Sequence, residues 1–218
     1  MGEVEAKFRI PDRETFERLC GLKELVGFLL EPTGIKRIRD SYLDTADQTI
    51  LRAGYACRLR RKDAGPIAES RGMYLATVKG LGGADPSSGI HQREELEAWV
   101  DGPEPLDWPA SAVRDRVIRL CEGRPLQELF ALNQERHLRL LYPAAHRENQ
   151  PLGELSLDLV TLASEESSVY YELEIELLNE DGIEELKQVA GHLRSSWGLA
   201  PETRSKFERG LASGPTSK

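Results

Sequence analysis

The chain has 218 residues, 39% hydrophobic and 30% charged, with 29 Lys and Arg against 37 Asp and Glu for a formal net charge of −8. That length suits one large domain or two small ones, with enough apolar residues for a substantial core. The acidic surplus excludes bulk binding to nucleic acid, which needs a basic outer surface, and no apolar run approaches the length of a membrane span.

The first strand is read over Met1 to Ile10. It follows no basic leader or signal-peptide core, so an intracellular, cytoplasmic protein is expected. Met1-Gly2 lacks the Ser or Thr of a myristoylation signal, since that position is Ala6. Pro11-Asp12 then opens a helix whose stripe is Phe16, Leu19, Cys20 and Leu22, with Gly21 and Gly27 weakening its later part. A second strand is predicted over Lys36 to Thr45, and a short helical turn over Ala46 to Leu51. Gly54 punctuates before a third strand, Tyr55 to Lys62, and Tyr74 to Gly80 forms a fourth. The glycines between Gly80 and Gly89 make a flexible connection, read as a mobile lip over a site; they lack the Gly-x-x-x-x-Gly-Lys-Ser/Thr of a P-loop.

A fifth strand follows over His91 to Val100, and a helix over Ala110 to Cys121 with Val113, Val117 and Leu120 on one side. Strands then resume over Leu129 to Tyr142, Glu154 to Leu162 and Val169 to Leu178, with a hairpin tip from Ala144 to Gly153. Ile183, Leu186, Ala190, Leu193 and Trp197 fall on one face of a last helix. Residues 1–210 are read as one domain and 211–218 as a disordered tail of Gly, Pro, Ser and Thr. The sum is α+β: about eight strands, mainly antiparallel, with surrounding helices.

The strands share a pattern. In the first, Glu3, Glu5, Lys7 and Arg9 alternate with Val4, Ala6, Phe8 and Ile10, the period-two signature of unlike faces. Taken alone, this is a sheet edge with its charged side in water. The pattern recurs, however, at Arg58 and Arg60, at Arg93, Glu95 and Glu97, and at Glu172, Glu174 and Glu176. These faces carry Arg, Lys and Glu where a solvated face would mix in Ser, Thr, Asn and Gln. If the strands close into an eight-stranded antiparallel β-barrel, the ionic faces line a lumen suited to a highly charged ligand and helices cover the apolar outside.

In order along the chain, Glu3-x-Glu5-x-Lys7, Tyr42-Leu43-Asp44-Thr45, Arg58-Leu59-Arg60, Thr77-Val78-Lys79-Gly80, Arg93-x-Glu95-x-Glu97, Glu172-x-Glu174-x-Glu176 and Ser205-Lys206-Phe207 resemble the motifs of the CYTH superfamily, the triphosphate tunnel metalloenzymes. The likeness runs from residue 3 to about 210. It implies a tunnel holding a triphosphate-containing small molecule with Mg²⁺ or Mn²⁺. Carried over, it makes Glu3, Glu5, Glu174 and Glu176 metal carboxylates and Lys7, Arg58, Arg60, Lys79, Arg93, Arg136 and Lys206 phosphate ligands. Lys7, Glu174 and Glu176 become the catalytic group, while Glu95, Glu97, Asp158 and Glu172 support the basic residues. Gln134, where many members carry Lys, departs from the pattern, and Glu172 adds a third acidic position to the motif of the last strand.

The chemistry agrees with these assignments. Arg grips phosphate bidentately and stays charged when enclosed, and Mg²⁺ takes oxygen ligands from carboxylates and phosphates. Water orientated by Glu174 or Glu176 would attack the terminal phosphorus in line. The expected activity is hydrolysis of inorganic triphosphate or a similar short polyphosphate. Alternatives are a class IV-type adenylyl cyclase, a thiamine triphosphatase, and a polyphosphate- or nucleotide-binding module without turnover. Simple Arg–Glu ladders are a poor stabilising device. His91, His137, His146 and His192 lack ligand spacing and are read as surface or packing residues; Trp99, Trp108 and Trp197 as core or interface aromatics. Cys20, Cys57 and Cys121 are read as reduced core thiols. A homodimer through exposed helical faces stays open.

Overall fold

The computed structural model describes residues 2–61, 74–82, 87–145, 150–163 and 165–213. In chain order the elements are β1 (Gly2–Ile10), α1 (Arg13–Cys20), β2 (Glu24–Leu25), β3 (Phe28–Asp44), α2 (Thr49–Arg52), β4 (Tyr55–Arg61), β5 (Tyr74–Gly80) and β6 (Ile90–Val100). There follow α3 (Ala112–Cys121), β7 (Gln127–Pro143), β8 (Gly153–Leu162), β9 (Glu165–Leu177), α4 (Ile183–Ser195), β10 (Ala200–Pro201) and α5 (Lys206–Ser213). Eight strands close into a barrel in the order β1-β6-β5-β4-β3-β7-β8-β9, with β9 returning to β1. Every pairing is antiparallel, and the two-residue β2 and β10 are side additions on β3 and β1.

Closure follows from the alternation. The odd residues of β1 face inward, while Val4, Ala6, Phe8 and Ile10 join a core of Leu155, Leu157, Leu173 and Ile175 outside the barrel wall. Phe16 and Leu19 of α1 and Leu186, Val189, Ala190 and Leu193 of α4 cover that core. Asp12 starts α1 by accepting the Thr15 amide, and Gly21 ends it just after Cys20. A second outer core lies under α3, where Val113 and Val117 meet Leu43, Cys57, Leu59, Val78 and Val100. Ser111 caps that helix through the Arg114 amide. No helix among the described residues is long and apolar enough to cross a membrane.

Two predicted elements change. The strand expected over Lys36 to Thr45 starts at Phe28 and stops at Asp44. Val26 and Gly27, both at positive φ, make a two-residue hairpin from β2 into β3. Pro32 and Gly34 are accommodated at a register shift against β7, the site where a strand tolerates such residues. Asp44, the last residue of β3, accepts the amides of Thr45, Ile50 and Leu51 with its carboxylate, so it anchors α2.

The tail is the second change. Residues expected to be disordered from 211 begin instead as the end of α5, and residues 214–218 lie outside the described residues. Parts of the expected lip (83–86), of the hairpin tip (146–149) and Lys62 also fall outside them. Ser205 and Glu208 form a reciprocal capping box that starts α5. Phe207 then enters the barrel end, with ring centroids 5.4 Å from Tyr42 and 5.8 Å from Phe130, among Ala56, Leu132, Val160 and Leu162. The helix closes that end because Gly210 lies flat on Phe130, where a β-carbon would collide with the ring. Gly210→Val should therefore cost about 1–3 kcal/mol by overpacking, read by urea unfolding, and should speed amide exchange in α5. Unchanged stability would show that α5 is not seated on Phe130.

Candidate functional site

The inward parity of the strands surrounds a cavity of about 810 Å³ whose lining includes Glu3, Glu5, Lys7, Arg58, Arg60, Lys79, Arg93, Glu95, Glu97, Arg136, Glu174, Glu176 and Lys206. Registration sets their neighbours. Glu5 lies opposite Glu176 and Lys7 opposite Glu174 across β1 and β9; Glu3 lies opposite Arg93 across β1 and β6. Asp158 and Glu172 face one another across β8 and β9, fully buried behind the lining.

Two carboxylates each gather three cations. Glu174 accepts Lys7 Nζ at 2.9 Å, Lys206 Nζ at 2.7 Å and Arg136 Nη2 at 2.9 Å. Glu5 meets Arg93 Nη2 at 3.1 Å, Lys7 Nζ at 3.3 Å and Lys79 Nζ at 3.9 Å. Asp158 holds Arg136 in a bidentate fork at 2.8 and 2.6 Å and meets Lys206 at 3.0 Å. Glu172 lies 3.4 Å from Lys206 and 3.7 Å from Lys7. On the facing wall Asp40 takes Arg60 in a fork at 2.8 and 2.9 Å, accepts Gln134 Nε2 at 2.7 Å and lies 3.7 Å from Arg58. Arg58 also donates to Thr77 Oγ1 at 2.9 Å, whose hydroxyl donates to Glu97 at 2.9 Å. Lys79 pairs with Glu3 and with Glu95 at 3.1 Å.

These contacts split the acids into two sets. Burial works against ionising Glu5, but Lys7, Lys79 and Arg93 outweigh it and bring its carboxyl down to about 2. Lys206, Lys7 and Arg136 likewise overcome burial and hold Glu174 well below the usual range. Glu3 goes the other way, pushed up to about 9 by burial and by Glu5 beside it. Glu176 rises to about 7 through burial and the charges of Glu5 and Glu95. Glu172 is raised as well, with burial the leading cause.

Glu3, Glu5, Glu174 and Glu176 offer only oxygen donors, and of these Glu3 and Glu176, whose carboxyls are pushed up, are the ones that lack sufficient positive charge. Such a set fits a hard divalent cation such as Mg²⁺ or Mn²⁺. Among the described residues, no three acidic, His or Cys side chains already surround a single metal-sized point.

All of the sequence-derived site residues reach this interior or its supporting layer. Three others belong with them. Asp40 was hidden because Lys36, Arg37, Arg39 and Asp40 put charge on both faces of β3. Gln134 is buried and bound to Asp40, while its Oε1 has no partner among the described residues. His91 is fully buried against Arg93, although its sequence surroundings carried no ligand spacing. Its neighbour in the pattern, Arg93, was the only available signal. His137 packs edge-on against Phe16 outside the barrel.

Solved structures share the fold across nearly the whole chain. A candidate adenylyl cyclase from Hippeastrum with a dominant triphosphatase activity is 19% identical over 98% of this chain and 97% of its own, with a TM-score of 0.70. A candidate adenylate cyclase from Bacillus halodurans is 21% identical over 95% and 96%, with a TM-score of 0.60. A protein from Pyrococcus horikoshii OT3 is 20% identical over 97% and 99%, with a TM-score of 0.59. No curated protein matches by sequence. The CYTH domain model matches residues 1–211, and with the closed barrel and its ionic interior the chain belongs to the CYTH family.

Proposed function

We propose that the protein is a divalent-metal-dependent triphosphatase that removes the terminal phosphate of inorganic triphosphate or a related triphosphate. The observation that carries this reading is the placement of Glu5 and Glu174, each shared among three cations inside a closed barrel. An anion-binding cavity alone needs the cations and is weakened by the carboxylates. Both signs together suit a ligand that brings phosphate oxygens and a cation at once.

Lys7, Arg58, Arg60, Lys79, Arg93, Arg136 and Lys206 would grip the phosphate oxygens, the arginines through planar forks and the lysines as compact charges. Glu3, Glu5, Glu174 and Glu176 would hold Mg²⁺ or Mn²⁺, which when bound neutralises charge on the phosphate oxygens. Glu174 or Glu176 would orient the attacking water along the line of the breaking P–O bond and receive its proton. Asp40, Asp158 and Glu172 keep the basic side chains extended into the lumen. The acidic partners of Arg58 and Arg60 lie at the wall, so each guanidinium can exchange part of its contact for phosphate without losing its anchor.

The deciding measurement is a product assay on purified protein with Mg²⁺ or Mn²⁺, offering inorganic triphosphate, ATP and thiamine triphosphate in parallel. Orthophosphate chiefly from inorganic triphosphate is expected. Pyrophosphate with cyclic AMP from ATP would replace the hydrolase by a cyclase, and tight triphosphate binding without turnover would leave a binding module. Glu5→Gln should lower turnover at least about 100-fold while triphosphate still binds, a rise of about 3 kcal/mol in the barrier; full activity in that variant would remove the metal assignment. Arg58→Ala should weaken triphosphate binding about 10–100-fold, the range of one or two hydrogen bonds to a charged group.

Asp40 supplies a prediction on stability. Burial opposes its ionisation, but Arg58 and Arg60 outweigh burial and hold its carboxyl below the usual 3.8. In the unfolded chain it takes up a proton near that value while the folded form does not, so its stabilisation is present above this pH and is lost as pH falls toward the depressed folded value. Asp40→Asn should cost about 3–5 kcal/mol at pH 7 by removing the counter-charge of the Arg60 fork and one anionic neighbour of Arg58, and the gap to the parent should narrow at pH 3. Urea unfolding at both pH values checks this, and a gap that widens in acid would contradict the ion-pair account.

A further inference from the structure

His91 lies fully buried on β6, two residues before Arg93. Its Nδ1 is 2.5 Å from Arg93 Nη2 and its Nε2 is 2.9 Å from the Glu202 carbonyl oxygen. A guanidinium only donates, so Nδ1 accepts; a carbonyl only accepts, so Nε2 carries the proton. The two partners fix one neutral tautomer. An imidazolium would set N–H against N–H at Arg93, and burial, Lys7 and Arg93 all hold the ring below its ordinary pKa.

Both ends of this bridge lead to the charged interior. Arg93 Nη2 also donates to Glu5 Oε1 at 3.1 Å, and Arg93 Nε has no partner among the described residues, so these contacts through Nη2 hold the guanidinium. At the other end, the Glu202 amide donates to the Lys7 carbonyl at 3.0 Å. The Glu202 carboxylate accepts Arg209 Nη1 at 2.7 Å, and Arg209 lies on α5 three residues after Lys206. Lys206 in turn reaches Glu174.

We propose that His91 is a positioning residue that holds Arg93 on Glu5 and ties the Glu202 turn, and through it the Lys206-bearing helix α5, to the same wall. Its imidazole suits the task because it accepts from Arg93 and donates to the Glu202 carbonyl across a single rigid ring. Binding of phosphate by Arg93 and by Lys206 is then coupled through one buried side chain that need not touch the substrate. This inference rests on the triphosphate reading for its effect on affinity; the linkage to α5 stands apart from it.

The experiment compares the full-length parent with His91→Phe, which keeps a ring but neither bond, and His91→Asn, whose amide oxygen stands near the position of Nδ1 and cannot reach Glu202. Calorimetry with inorganic triphosphate and amide hydrogen exchange of residues 206–213 are read together. His91→Phe should weaken triphosphate binding about 10–100-fold, as for lost hydrogen bonds to a charged group, with KM rising more than kcat falls. Its α5 amides should exchange at least about tenfold faster, the signature of a raised local opening population. His91→Asn should recover part of the affinity and keep the faster α5 exchange.

Val117→Ala, in the separate core under α3, serves as a destabilised control whose triphosphate affinity stays at the parental value. In the background of Arg93→Ala, His91→Phe should weaken binding by less than it does alone, because the shared contact is already gone. Unchanged affinity in His91→Phe, full additivity with Arg93→Ala, or unchanged α5 exchange in both His91 variants would each overturn the proposal. If His91→Phe does not fold, the α5 exchange of His91→Asn decides. Failure of the parent to bind triphosphate would instead overturn the proposed function, and α5 exchange would still decide the linkage.

Discussion

Lys7 sits where the two halves of the ionic wall meet. Its ammonium lies between Glu5 on its own strand and Glu174 on the neighbouring β9, and it is 3% exposed. Dehydrating such an ion costs on the order of several kcal/mol, and no apolar residue in that position would incur the cost. The barrel has to close around it, because only a closed sheet gives every strand an inward face on which charge meets charge. The outward faces then carry most of the apolar content of the strands, and α1, α3 and α4 are needed to cover them, while Tyr42, Ala56, Leu132 and Val160 pack with Phe207 at the barrel end. The fold is thus arranged inside out relative to an ordinary small barrel, whose interior is filled by apolar side chains.

How much of this was legible depended on whether one face of a strand was free of competing demands. In β1, β4 and β9 the outward residues are apolar and the alternation is clean, so Glu3, Glu5, Lys7, Arg58, Arg60 and the three glutamates of β9 stood out, whereas in β6 the outward Gln92 and Glu94 are exposed and only Arg93, Glu95 and Glu97 repeated the charged parity. In β3 the outward positions from 31 to 37 are exposed and carry their own charges, so the inward Asp40 could not be told from Arg39 by pattern. Its partner Gln134 was noticed only as a departure from a family motif, and its reason is spatial: it shares Asp40 with Arg60. The α5 helix escaped for a different reason. Eight residues give too little periodicity to detect, although its Ser205-x-x-Glu208 capping box was written in the sequence.

His91 marks the limit of such reading. Nothing in its neighbours along the chain separates it from a surface histidine, because its second partner is a backbone carbonyl 111 residues away. A backbone acceptor leaves no trace in residue identity. Contacts of this kind join the β-barrel to its terminal helix, and they become visible only when the register of β6 and the path of the Glu202 turn are both known.

The charge balance of the lumen bears on what can occupy it. Among the described residues seven cations line the cavity, but they face Glu3, Glu5, Glu95, Glu97, Glu154, Glu174, Glu176 and Asp181, with Asp40, Asp158 and Glu172 behind. A triphosphate alone would add several negative charges to a wall where the Glu3 carboxyl is already pushed up to about 9. The pairing of Glu3 with Lys79 does not offset burial and the adjacent Glu5, so further anionic charge at that wall is disfavoured. Under the proposed function, Glu3 and Glu176 would hold a divalent cation bound together with the phosphate, and Lys7, Lys79 and Lys206 would then be free to turn toward phosphate oxygens. The carboxylate excess, which would be a defect in a simple anion trap, would then favour joint binding of the two proposed ligands, since each would supply charge that the wall lacks for the other.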